Sequence, residues 1–229
     1  MIAALGAGAV LLGGAAYGAF HRNSSLFGRP ITRLRAVDRA VALTFDDGPN
    51  PEATPPILDA LAERGVKATF FILGRHAEQW PEIVRRVAAE GHEIGNHGYY
   101  HRKLHLKSPS YVRRDLGLGT EMIERASGVK PRLFRAPHGF RSPWVSVIAR
   151  SMGQRTVGWS LGVWDSDRPG VDAIVQKTVD GARPGSILLL HDGDGYDPGG
   201  DRTQTARAVP IIVDRLRQQG YRFDLLDPG

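Results

Sequence analysis

Two histidines four residues apart, His97 and His101 in the run NHGYYH, can aim both imidazoles at one point, across a helical turn or within a tight loop. That spacing alone is weak evidence for a metal. It gains weight from Asp47, which follows an apolar run and can add an oxygen. Two nitrogens and one oxygen leave a tetrahedral ion one open position, the arrangement of a catalytic rather than a structural zinc site. Asp46 stands beside Asp47. Adjacent residues at a strand end point opposite ways, so one carboxylate can hold a cation while the other faces an attacking water as general base. The plainer reading of Asp46-Asp47-Gly48-Pro49 is a tight turn, for which these residue types are equally suited.

His191 closes the apolar run SILLLH and precedes Asp192-Gly193. A histidine in such a run is more often a satisfied core residue, but the end of a strand favours an active one. Imidazole carries a proton near neutral pH and can give it to a leaving amine. Asp165 could keep that ring charged, and Arg135 could pair with Asp46 and hold its negative charge. For each of the two, a surface charge is the plainer reading.

These groups need a scaffold, and the chain alternates strand and helix patterns. Strands are expected at 40–45, 67–73, 92–96, 132–137, 155–161, 186–191 and 221–226. Between them, helices are expected from Thr54 to Gly65 (capped by Thr54), Pro81 to Glu90, 109–126, 142–152, 170–181 and 203–219, the last despite Pro210. About seven β–α units with continuous apolar strands imply a parallel sheet covered by helices, closed or nearly closed into a barrel. Such a barrel collects functional residues at the C-terminal ends of its strands. Asp46, Asp47, His97, Arg135, Asp165 and His191 all fall at or near such ends.

The 229 residues fit one domain and a short appendage, with 41% hydrophobic and 24% charged residues. With no cysteine, disulfides, zinc–thiolate sites and cysteine nucleophiles are excluded. The net charge is +6 and the pI about 9.9. The basic residues are scattered, as at Arg85-Arg86 and Arg113-Arg114, and read as a solvated surface rather than a nucleic-acid footprint. Residues 2–20 carry no charge and suit a bilayer span in length, though most are Gly or Ala. No basic stretch precedes them, the cleavage pattern at Ala16-Tyr17-Gly18 is poor, and Arg22, Arg29, Arg33 and Arg35 follow, which disfavours an exported domain by the positive-inside tendency. The segment 1–20 reads first as a membrane anchor, next as a cleaved signal, last as a buried helix. Residues 21–38 read as a linker and 39–229 as the catalytic domain.

The motifs TFDDGP (44–49), His97 to His101, Arg135-Ala136-Pro137-His138-Gly139, Trp159 to Asp165 and Leu188 to His191 fall in one order. Together they make residues 38–226 resemble the polysaccharide deacetylase family, the NodB-homology group that includes peptidoglycan and chitin deacetylases. The resemblance implies a distorted (β/α)7 barrel and one divalent ion, usually zinc, on Asp47, His97 and His101. It also implies Asp46 as base, Arg135 as the group orienting it, His191 as acid and Asp165 tuning that acid. The His138 backbone N–H would take the oxyanion role and Leu189 would line the acetyl pocket. Three positions depart from the family pattern. Gly98 replaces a Ser or Thr, Gly162 an aspartate, and Ser166 a tryptophan whose wall Trp164 or Trp159 could supply.

The expected activity is deacetylation of an N-acetylated glycan of the cell envelope or outside the cell, by a monomer that is membrane-anchored or secreted and has no nucleic-acid partner. A hydrolase of small amides and a catalytically silent glycan-binding domain are the alternatives on the same fold. His21, His76, His92 and His105 are assigned no role. Asp201, Arg202 and Gln204 are expected to cap the last helix, or otherwise to reach a neighbouring sugar.

Overall fold

Alternate residues of β1 (Ala40–Asp46) face opposite ways. Val41, Leu43 and Phe45 enter the large core beneath the helices, whereas Ala42 joins an inner cluster with Phe71, Leu133 and Ile187. β7 (Ser186–His191) repeats the pattern, with Leu188 and Leu190 in the outer core and Ile187 inside. The two strands pair in parallel with Ala42 opposite Ile187, Thr44 opposite Leu189, and Asp46 opposite His191. The inward set of each strand therefore ends on a group able to do chemistry.

The computed structural model describes residues 24–35 and 38–226. One eight-stranded sheet runs in the order β5-β4-β3-β2-β1-β7-β6, with β8 on β1 and every pairing parallel. The remaining strands are β2 (Thr69–Ile72), β3 (Glu93–Asn96), β4 (Leu133–Phe134), β5 (Arg155–Thr156), β6 (Leu161–Gly162) and β8 (Arg222–Phe223). Seven helices cover the sheet among the described residues: α1 (Thr54–Glu63), α2 (Gly74–Gln79), α3 (Pro81–Ala89), α4 (Pro109–Ser127), α5 (Pro143–Ser151), α6 (Val171–Gly181) and α7 (Thr203–Gln218). This is the distorted (β/α)7 barrel that the motifs imply. Residues 31–34 reach across its open seam. Ile31 bridges Val157, Arg33 bridges Ser186, and the Leu34 N–H donates to the Gly185 carbonyl at 2.9 Å.

Several local expectations change, among them the strand expected over 132–137, which is paired only at 133–134. The strand expected over 155–161 breaks at Gly158, whose N–H donates to the Ile31 carbonyl and whose carbonyl accepts from Arg135, leaving β5 and β6 as two short pieces. The strand expected over 221–226 is paired only at 222–223. Thr54 is the first residue of α1 rather than its cap. Of the two N–H positions a cap at Thr54 could serve, Pro56 has none and that of Ile57 donates to the Ala53 carbonyl; the Thr54 hydroxyl accepts from the Asn50 N–H and donates to Asp192. Finally, α2 was not expected, because its six residues carry no apolar period.

The basic residues are less scattered than the sequence suggests. Arg29, Arg33, Arg35, Lys67, Arg155 and Arg222 line one open groove at the starts of the strands, opposite the end that carries Asp46 and His191. Strand beginnings that are far apart in sequence collect there. The segment 1–20, with its anchor and signal readings, lies outside the described residues. Among the described residues, no helix is long and apolar enough to cross a membrane.

Candidate active site

β1 delivers both carboxylates and separates them. Asp46 keeps strand geometry and turns inward, where its Oδ1 accepts from Arg135 Nη1 at 2.7 Å. Asp47 has φ 74, a left-handed conformation that turns its side chain elsewhere. Its Oδ1 lies 3.3 Å from His97 Nε2 and 3.1 Å from His101 Nε2. Asp47, His97 and His101 are buried, and their donor atoms all lie within 4.8 Å of one another.

Hydrogen bonds behind these residues show what they are set up to hold. His97 Nδ1 lies 2.8 Å from the Arg135 carbonyl, which can only accept, so Nδ1 carries the proton. In the neutral ring, Nε2 is then a lone pair pointing at the Asp47 carboxylate. Asp47 Oδ1 is buried and accepts no hydrogen bond, and His101 Nδ1 is likewise buried without a partner. Lone pairs converging on one point repel unless a cation lies between them. The donor set fits a divalent ion with nitrogen and oxygen ligands. Burial pushes the Asp47 carboxyl up, but the facing His101 and His97 outweigh it and hold it well below the usual range. Burial lowers His101 to about 3, against the pull of Asp47.

Arg135 is fully buried just beyond β4. Its Nη1 also donates to Thr44 Oγ1 at 2.8 Å and its Nη2 to the Gly158 carbonyl at 2.8 Å, while the guanidinium lies 4.1 Å from the centre of the Phe71 ring. These contacts fix the direction from which it grips Asp46. On the opposite side, His191 Nδ1 donates to Asp165 Oδ1 at 2.8 Å. Asp165 Oδ2 accepts from the His191 N–H at 2.7 Å and from Thr205 Oγ1 at 2.8 Å. Burial works against a charged imidazole, but the Asp165 carboxylate outweighs it, helped by Asp47 and Asp46, and raises His191 to about 9.

Asp46, Asp47, His97, His101, His138, Trp164, Leu189 and His191 open onto one pocket of about 780 Å³, and Arg135 and Asp165 sit behind it. All ten residues expected from the sequence therefore converge.

The polysaccharide deacetylase profile matches residues 34–157. The chain belongs to the polysaccharide deacetylase family. It is 40% identical over 194 residues to a chitooligosaccharide deacetylase of Bradyrhizobium sp. (strain ANU 289), covering 81% of this chain and 88% of that protein. The Bc1960 peptidoglycan N-acetylglucosamine deacetylase has a similar structure, with a TM-score of 0.80, 35% identity, and coverage of 86% of this chain and 90% of that one. The Bacillus anthracis protein BA3943, described as a family pseudoenzyme, is also similar, with a TM-score of 0.79, 30% identity, and coverage of 87% and 69%. A shared fold therefore does not guarantee turnover.

Two of the glycines noted in the sequence, Gly98 and Gly162, are closely packed. Gly98 has φ 80, and a Cβ there would lie 2.6 Å from Asp115 Oδ2. That carboxylate on α4 accepts from the N–H groups of Tyr99 and Tyr100, at 3.1 and 3.3 Å, and so braces the loop between His97 and His101. A Cβ at Gly162 would lie 3.1 Å from Trp159 Nε1. Trp159 and Trp164 both line the pocket beside Ser166.

Several site residues of the deacetylase were not expected. Tyr196 lines the pocket and its hydroxyl lies 3.0 Å from His138 Nε2. His76 is fully buried and donates from Nδ1 to the Asp47 carbonyl at 2.7 Å. Burial lowers His76 to about 4. Arg202 stands at the N-cap position of α7 but its side chain makes no cap bond; it lines the pocket and ties the Gly193 carbonyl and Asp194 Oδ2 together, at 2.8 and 2.7 Å. Asp201 does serve the start of α7, accepting from the Thr203 N–H at 2.9 Å, whereas Gln204 accepts from the Gly170 N–H.

Proposed function

We propose that the chain is a metal-dependent hydrolase that removes acetyl groups from N-acetylated sugars of a cell-envelope or extracellular polysaccharide. One observation carries the reading: the Asp47, His97 and His101 cluster shares its pocket with Asp46 and His191. The three residues would hold one divalent ion, and their nitrogen and oxygen donors suit zinc. A bound ion there lowers the pKa of water and polarises the acetyl carbonyl.

The chain's own residues do the rest. Asp46, held by Arg135, takes a proton from the water that attacks the carbonyl carbon. The His138 N–H donates to the developing oxyanion, and one such donor is worth about 3 kcal/mol. His191 gives its Nε2 proton to the amide nitrogen as the carbon–nitrogen bond breaks, releasing acetate and a free amino sugar. Leu189 and Trp164 wall the space for the acetyl group. Residues 39–229 form the catalytic domain in this reading, and 1–20 direct it out of the cytoplasm as an anchor or signal. The relatives' names, chitooligosaccharide and peptidoglycan deacetylases, support glycans of this class.

Asp46 and His191 are both in place, which argues against a silent glycan-binding role. The test is acetate release from N-acetylglucosamine oligomers, peptidoglycan and acetylated exopolysaccharide, after chelation and after restoring zinc or cobalt. Metal-loaded protein that releases acetate from none of them would sink the proposal.

A further inference from the structure

Six residues long and without an apolar period, α2 nevertheless reaches three loops around the Asp47, His97 and His101 cluster. The first N–H groups of a helix have no partner within it. Here the Gly74 N–H donates to the Gly98 carbonyl at 2.9 Å and the Arg75 N–H to the Tyr99 carbonyl at 3.4 Å, which grips the loop between His97 and His101. Arg75 Nη2 donates to the Gly195 carbonyl at 2.8 Å, in the loop between β7 and α7 that lies against the His101 ring. The third contact runs from His76 Nδ1 to the Asp47 carbonyl, at 2.7 Å.

Packing alone does not explain His76. The ring is fully buried, and its Nε2 makes no hydrogen bond among the described residues. Its aromatic neighbour is Trp80, edge-on with ring centres 5.8 Å apart. A buried nitrogen without a partner costs stability, and an apolar side chain of similar size would avoid that cost. What the imidazole adds is a single donor, aimed at a single carbonyl. That carbonyl belongs to the residue with φ 74, the left-handed turn that sends the Asp47 side chain to His97 and His101 rather than along with Asp46. Gly193 packs against the same carbonyl, since a Cβ there would lie 2.2 Å from the oxygen. The next carbonyl, that of Gly48, accepts from the Leu73 N–H at 3.0 Å. Two successive carbonyls of the turn are thus held from the start of α2, one by the backbone and one by His76.

We propose that His76 is a positioning residue for the candidate metal site: its Nδ1–H fixes the Asp47 backbone in the conformation that keeps Oδ1 facing His97 and His101. The proposal rests on the metal-site reading above. His76 acts only through Asp47 and touches neither ion nor substrate.

Side chains that place a donor differently separate this role from packing. Asn carries an amide nitrogen at the δ position, where His76 has Nδ1, whereas Gln carries its nitrogen one atom farther out and Leu has none. Isothermal titration of the chelator-treated full chain with zinc should show His76→Leu and His76→Gln weakened about 10–100-fold, the usual cost of losing a group that orients a ligand. His76→Asn should stay near the native affinity. Circular dichroism checks that each variant is folded, and a His76→Leu chain that fails to fold leaves the Asn and Gln variants to decide. Equal zinc affinity in all the chains would overturn the proposal. So would His76→Asn binding as weakly as His76→Gln, because the whole ring rather than its δ donor would then be what matters. A native chain that binds no zinc would instead bring down the metal site itself, and the role of His76 with it.

Discussion

Asp46 and His191 are register partners, the last residues of two adjacent parallel strands, both turned into the barrel. Neighbouring strands lie about 4.8 Å apart, so the backbone itself sets a carboxylate and an imidazole at one level on either side of a reacting group. Their partners keep them distinct, Arg135 on the one and Asp165 on the other. Asp46→Asn and His191→Ala should each lower kcat by about 10²–10⁴, the usual worth of a positioned base or acid. Metal content, read by elemental analysis, should stay at one ion per chain. The double variant should lose little more than the worse single one, because the two act in one step.

Arg135 makes a different prediction, about stability. It is fully buried, and Asp46 is its one carboxylate partner among the described residues. Removing one member of a buried pair leaves an uncompensated charge and costs about 3–5 kcal/mol. Urea denaturation of Arg135→Met should show a loss of that order. Adding Asp46→Leu should recover part of it, since an apolar pair can replace a buried ion pair at little cost. A single variant as stable as the native protein would mean that the pair does not hold the barrel together.

The Asp165–His191 contact sets a pH dependence. The acid must be protonated, so kcat/KM falls as pH rises through the His191 pKa. Asp165 raises that pKa, to about 9 in the metal-free protein, and a bound dication draws it down from there. In Asp165→Asn the stabilising negative charge is gone, so the alkaline limb should move to lower pH. A pH–rate profile with an unmoved limb would remove Asp165 from the tuning role.

Asp46, Asp47, His97, Arg135, Asp165 and His191 are legible as candidates because parallel strands broadcast their own ends, whereas His138, Leu189 and Trp164 come from the family resemblance alone. Apolar runs stop at Asp46 and His191, and period-two alternation then sends both inward. His97 and His101 needed only a four-residue spacing. What depends on distant backbone was not legible. The break at Gly158 follows from carbonyl and amide contacts with Arg135 and Ile31, more than twenty and more than a hundred residues away. His76 sits on a helix too short to show a period, and its contact is to a carbonyl, which has no residue signature. Tyr196 lies among Gly, Asp and Pro, a composition that suggests a loose turn. The clamps from Arg75, Asn50 and Arg202 that make the loop rigid come from three other places in the chain.

Gly195 is where that loop and the candidate metal ligands meet, and it gives the last prediction. A Cβ there would lie 2.1, 2.3 and 2.5 Å from three atoms of the His101 ring, far inside van der Waals contact. The Gly195 carbonyl is held by Arg75, and its neighbours by Arg202, so the backbone cannot simply retreat. The imidazole must swing away from Asp47 instead. His101 has φ 55, a conformation that already disfavours adjustment of its own backbone. Gly195→Ala should therefore weaken metal binding about 10–100-fold, as disturbance of ligand-orienting groups commonly does. Isothermal titration with zinc would measure this, and circular dichroism should show the fold retained. If zinc affinity stays at the native value, the loop does not press on His101 in solution, and the close packing of ligand and loop would be refuted.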